Sequence, residues 1–167
     1  MPDFQLEVQN YSKKNVSLSD FKGQWLILDF WNRYCGVCIK SFPKMDSLQR
    51  TFDGRLKIIL SGYTGSKMSR QGSDDKMIRE IYERNRLSNH LDLTVAFDSV
   101  LFDRYDIYAT PYLIVVDPKG NVRAITTKVY KKDIEDMMAG RPVQLKPAYT
   151  FEENKVRVNK KYKKQTN

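Results

Sequence analysis

The one pair of thiols in this chain lies in Cys35-Gly36-Val37-Cys38. Two intervening residues bring both sulfurs within bonding reach of each other. Where such a pair sits at the start of a helix, the first thiolate faces unsatisfied backbone N–H groups and the positive end of the dipole, which lowers its pKa. That thiolate can attack a target disulfide, and the second thiol can resolve the mixed disulfide that results. Cys35 is therefore the expected nucleophile and Cys38 the expected resolving thiol. A bare CxxC also reads as half a metal site or as two unrelated core cysteines. Zinc would need two further ligands, and His90 is the one other soft or borderline side chain, so no metal is expected.

The elements around the pair support the redox reading. Trp25-Leu26-Ile27-Leu28-Asp29-Phe30-Trp31 is a dense apolar run suited to a strand covered on both faces. From Gly36 onward, Ile39, Phe42, Met45, Leu48 and Phe52 recur every three or four residues, the stripe of an amphipathic helix, with Pro43 expected to kink it. The cysteines thus fall where a buried strand hands over to a helix. Strands are also expected near Phe4–Val8, Val16–Leu18, Leu56–Leu60, Leu93–Phe97, Tyr112–Val116 and Val122–Thr126, with helices near Met77–Leu87, Ser99–Tyr105 and Lys131–Ala139. Ser61–Asp75, rich in Gly, Ser and charge, reads as a long loop. This order predicts an α/β fold, a central mixed β-sheet flanked by helices on both faces with an N-terminal β-hairpin.

Composition narrows the class. At 167 residues with 41% apolar and 29% charged side chains, the chain suits one globular domain rather than a disordered polymer. Its longest apolar run, Tyr112–Val116, is far short of the roughly 18 residues of a spanning helix. Met1-Pro2-Asp3-Phe4 carries no signal peptide, which fits a chain whose leader has been removed. Of the net charge of +9, six units lie in Arg141–Asn167, where eight Lys and Arg face Glu152 and Glu153. No nucleic-acid motif accompanies that charge, so a solvated basic tail or linker is expected and nucleic acid is not an expected partner. The apolar residues after Pro142 show no sustained helical or strand period, so residues 1–140 are read as the domain and 141–167 as a tail dispensable for chemistry.

Leu28 to Cys38 resembles the thioredoxin run from buried strand to active site, with Asp29 six residues before the first cysteine and Pro43 five after the second. Thr110-Pro111, ahead of a hydrophobic strand, resembles the cis-proline segment of that superfamily. The start, from Pro2-Asp3-Phe4 through Val16 to Gly23, matches the TlpA/ResA-like branch, which adds an N-terminal hairpin and a central insertion. The chain is thereby identified as a member of the thioredoxin superfamily over residues 2 to 140. Val37 stands where thioredoxin has proline, Tyr34 where tryptophan is typical, and Ser41 where many TlpA/ResA-like proteins carry a glutamate.

The resemblance implies a thiol–disulfide oxidoreductase, without a bound cofactor, that reduces or exchanges protein disulfides in the bacterial cell envelope or periplasm. A buried Asp29 would have a raised pKa and could take the Cys38 proton. A cis bond at Pro111 would expose backbone beside Cys35, where an extended substrate could pair with Thr110. Trp31 and Tyr34 are expected to form an apolar docking rim, with Gly36 and Val37 as further substrate contacts. Trp25 is expected in the core and His90 on the surface. The implied partners are protein disulfide or dithiol substrates and an upstream reductant; a monomer is expected, and the basic tail is compatible with membrane proximity. Two rivals are a peroxiredoxin, whose Pro/Thr pattern is missing from Asn32-Arg33-Tyr34, and a non-catalytic binding module with a structural CxxC bridge.

Overall fold

Alternating apolar residues at the N-terminus build a hairpin of β1 (Gln5–Gln9) and β2 (Asn15–Ser17), with Leu6 opposite Val16. A 3₁₀ turn over Leu18–Phe21 follows, its Asp20 carboxylate accepting the Ser17 N–H at 2.7 Å. The chain then enters β3 (Trp25–Trp31), α1 (Gly36–Thr51), β4 (Leu56–Tyr63), α2 (Asp75–Asn89) and β5 (Thr94–Asp98). After α3 (Val100–Arg104) come β6 (Tyr112–Val116), β7 (Val122–Thr126), α4 (Lys131–Met138) and α5 (Phe151–Gln165). The computed structural model describes residues 1, 3–65 and 74–165, with backbone alone at 161–165. Pro2 and most of the expected loop over 61–75 lie outside the described residues; Ser61–Tyr63, expected in that loop, instead extend β4.

The seven strands form one sheet in the order β2-β1-β5-β4-β3-β6-β7. The neighbours β3, β4 and β5 are parallel, and the outer pairings are antiparallel. The fold is thioredoxin-like, as expected, and its interior β3 explains the uninterrupted apolar run. From Leu26 to Trp31 every residue is buried because the sheet is covered on both faces.

The two faces carry separate cores. Ile27 and Trp31 join Phe42, Met45, Ile78, Leu113 and Ile134 on the side of α1, α2 and α4. Leu26, Leu28 and Phe30 join Phe4, Val16, Leu101, Phe102 and Tyr112 on the other. Alternation along β3 therefore assigns each side chain to a core, and odd-numbered residues face α1.

The C-terminal segment departs from expectation. Residues 143–151 pack along the domain: Val143 and Leu145 lie against the α1-side core, the Thr127 N–H donates to the Lys146 carbonyl at 3.0 Å, and the Ala148 N–H to the Ile125 carbonyl at 3.3 Å. This pairing covers the outer edge of β7, an otherwise open row of backbone groups. Helix α5 then starts at a reciprocal cap. The Glu153 N–H donates to Thr150 Oγ1 at 3.2 Å, and the Thr150 N–H to the Glu153 carboxylate at 2.9 Å. Thr-x-x-Glu is a capping box, and it nucleates a helix whose apolar periodicity is weak. The expected absence of regular structure after Pro142 is thus corrected.

Candidate active site

Strand β3 delivers the chain to its carboxyl end at Trp31, and α1 begins five residues later at Gly36. Asn32 makes the turn between them: its Oδ1 accepts the Tyr34 N–H at 2.9 Å, and its carbonyl accepts the Cys35 N–H at 3.0 Å. An asparagine side chain that bonds the backbone two residues on imitates a turn, which sets the entry of the helix. Cys35 is the N-cap residue of α1, and its sulfur accepts the Cys38 N–H at 3.3 Å. A sulfur at this position meets the free N–H groups of the first helical turn, so a thiolate there is stabilised.

Cys38 lies one turn further on, in register with Phe42 and Met45 on the helix face that packs against the sheet. This divides the two sulfurs. Cys35 is 8% exposed and Cys38 1%, while Gly36 and Val37 between them are exposed. The cysteines are joined as a disulfide with their Cα atoms 5.3 Å apart. Ser41, one further turn along, donates its hydroxyl to the Cys38 carbonyl at 2.6 Å.

Asp29 shares the β3 face of Ile27 and Trp31, and its neighbours across the strands are Leu60 and Leu113. All four belong to or border the core that holds both cysteines. Desolvation of this carboxyl pushes its pKa up to about 7. Near neutral pH such a group is present in both protonation states and can accept or return a proton.

The peptide bond between Thr110 and Pro111 is cis, as the sequence predicts, and leads directly into β6. Asn32 Nδ2 donates to Thr110 Oγ1 at 3.0 Å, linking the turn before Cys35 to the segment beside the proline. Tyr34 is 61% exposed and available as a rim residue. Trp31 is not. It is fully buried, its ring meeting Phe42 edge-on at 5.0 Å, because its odd position on β3 turns it toward α1. The expectation of Trp31 as a docking surface is corrected to a core role beneath the cysteines. Trp25 is half-buried against the same core, and His90 is exposed at the end of α2.

A model of the AhpC/TSA family matches residues 1–125. The chain belongs to the AhpC/TSA family. Within it, the resemblance to ResA-like proteins holds. The chain is 26% identical over 144 residues to the thioredoxin-like protein YneN of Bacillus subtilis, covering 82% of this chain and 75% of YneN. It is 27% identical over 138 residues to the thiol-disulfide oxidoreductase ResA of the same organism, covering 82% of this chain and 71% of ResA. In fold it matches StoA from Bacillus subtilis with a TM-score of 0.60 at 20% identity, over 82% of this chain and 96% of that one.

Two residues of this AhpC/TSA-family chain enter the site without having been singled out from the sequence. Asn32 joins the Cys35 turn to Thr110. The Arg33 guanidinium lies 2.7 Å from the buried carboxylate of Asp74, which caps α2, and 4.1 Å from the Tyr34 ring centroid. Asn32 had a local signal, since asparagine directly after a strand favours an Asx turn. The Arg33 pairing spans more than forty positions and has no such signal.

Proposed function

We propose that this protein is a thiol–disulfide oxidoreductase that reduces protein disulfides through a mixed-disulfide intermediate. The observation that carries the reading is the unequal setting of the two sulfurs: Cys35 caps α1 at its N-terminus and keeps 8% exposure, and Cys38 sits one turn deeper on the buried face at 1%. In the dithiol form, the Cys35 thiolate attacks one sulfur of the substrate disulfide. A Cys35–substrate S–S bond forms, the substrate bond breaks, and the departing sulfur takes a proton. Asp29 then accepts the Cys38 proton, Cys38 attacks Cys35 Sγ, and the second substrate thiol leaves with a proton returned by Asp29. Two electrons and two protons pass to the substrate, and the enzyme is left with the Cys35–Cys38 disulfide seen in this structure. An upstream dithiol reductant must restore it.

In this scheme Thr110, beside cis-Pro111, offers backbone to an extended substrate segment, and Tyr34, Gly36 and Val37 form the exposed surface around Cys35. Action on protein disulfides in the cell envelope, by a monomer, completes the reading. Among the described residues no helix is long and apolar enough to cross a membrane.

The test is a pair of single substitutions assayed with insulin. Cys38→Ser is expected to accumulate mixed disulfides that reductant releases, and Cys35→Ser to abolish insulin-disulfide reduction. Equal trapping by both variants would overturn the assignment of nucleophile.

A further inference from the structure

A cavity of about 660 Å³ opens beside the redox pair, within the range of roughly 300–1,000 Å³ that binding clefts occupy. Asn32, Tyr34 and Thr110, which frame Cys35 and cis-Pro111, line it together with Ile107, Tyr108 and Phe151. Phe151 lies outside residues 1–125, where the family resemblance resides. It is nonetheless anchored. The Phe151 N–H donates to the Asp106 carbonyl at 3.1 Å, the Glu152 N–H to the Asp106 carboxylate at 3.1 Å, and the Phe151 ring meets Tyr108 edge-on at 5.6 Å. Both rings stay about half exposed, Tyr108 at 48% and Phe151 at 49%. Backbone held in place beneath wet aromatic rings gives contact area at a low entropy cost, because little remains to be ordered when a partner covers them.

Resting on the exchange reaction proposed above, we propose that Tyr108 and Phe151 form a selectivity subsite, which takes protein segments bearing an aromatic side chain close to the attacked cysteine. The occupant follows from continuity: one cavity joins the residues around the sulfurs to the aromatic pair, so a segment lying along Thr110 extends into it. A third aromatic ring would dry both exposed faces. In the same way the C-terminal segment, through the Thr150 cap and the Asp106 clamp, serves to position Phe151 rather than to tether the domain.

The test uses the full chain and two disulfide-linked peptides, identical except for Phe or Ala beside one cysteine, together with their serine-for-cysteine forms as binding probes. The wild type is expected to favour the Phe peptide about tenfold in kcat/KM, chiefly through KM, with a matching ratio in Kd for the serine forms. Phe151→Ala and Tyr108→Ala each bring both ratios close to one, and Phe151→Leu keeps an intermediate value. Val158→Ala, on α5 outside the cavity lining, leaves them at the wild-type level. Unchanged ratios in folded Phe151→Ala and Tyr108→Ala overturn the subsite. So does self-association that Phe151→Ala abolishes without any peptide preference, since the cleft would then join two copies of this chain. Selective binding without exchange overturns the oxidoreductase reading and retains the subsite.

Discussion

The two walls of the cleft are held in different ways. On the cysteine side, β3 and α1 pack fully buried side chains against each other: Trp31 on Phe42, and Cys38 in line with Met45. On the other side, the ring of Phe151 is half exposed, and a helix cap and two backbone N–H bonds donated to Asp106 fix the backbone beneath it. The first wall cannot shift without disturbing the core, because close-packed interiors transmit strain. The second is tied by contacts each worth about 1 kcal/mol, so it can open locally while the domain stays folded. In the proposed reaction, chemistry that depends on sulfur placement falls to the rigid wall, and the proposed selectivity to the looser one.

Four substitutions separate the walls, and the largest effect is expected from Trp31→Ala. The indole is fully buried and its Nε1 has no hydrogen-bond partner, so its contribution is packing. The neighbouring strand makes room for it: a methyl group at Gly62 would stand 3.2 Å from the ring. Truncation should cost about 3–5 kcal/mol of global stability, read as a lower midpoint in urea. A loss under 1 kcal/mol would mean that the rigid wall does not depend on this ring.

Asp29→Asn acts on the same wall with the opposite sign. The folded carboxyl titrates near 7, whereas in the unfolded chain it titrates near 3.8. The unfolded state therefore sheds its proton first, and stability falls as pH rises between those values, then levels off. Replacing the carboxyl should flatten that slope and raise stability at pH 8 by on the order of 1–3 kcal/mol, while slowing release of the mixed disulfide. Parallel pH–stability curves for the two proteins would remove the buried ionisation from the account.

Asn32→Ala tests the junction between the walls. It deletes the bond to Thr110 and the turn bond to Tyr34. The expected cost is about 1 kcal/mol, felt as a roughly fivefold slower attack by Cys35 and little change in melting temperature. An unaltered rate in stopped-flow exchange would show that the turn holds without its side chain.

The smallest effect should come from Thr150→Ala at the looser wall. Losing the cap should destabilise α5 by about 1 kcal/mol, visible as faster amide exchange along 151–160 with the global unfolding midpoint unchanged. Equal loss of protection in β3 would show that the two walls unfold together.

Features that rest on short-range sequence were legible from it. Period-two and period-3.6 patterning marked β3 and α1, and the handover between them put Cys35 at a helix start before any contact was known. Asp29 stood out as the one acid in an apolar run, and burial accounts for its raised pKa. Trp31 was misread because a strand buried on both faces has no polar face, so its composition alone does not tell a rim residue from a core residue. Helix α5 was not legible because the apolar residues after Pro142 lack a sustained period, and the capping box at Thr150 and Glu153 is a short signal within a run of charge. What only the tertiary structure decided lies in bonds between distant segments: Asn32 to Thr110, Arg33 to Asp74, Thr127 to Lys146, and Asp106 to Phe151. Local periodicity reports which face of an element is apolar. It carries no information on which remote segment will cover that face, since that depends on how the assembled sheet brings its loops together.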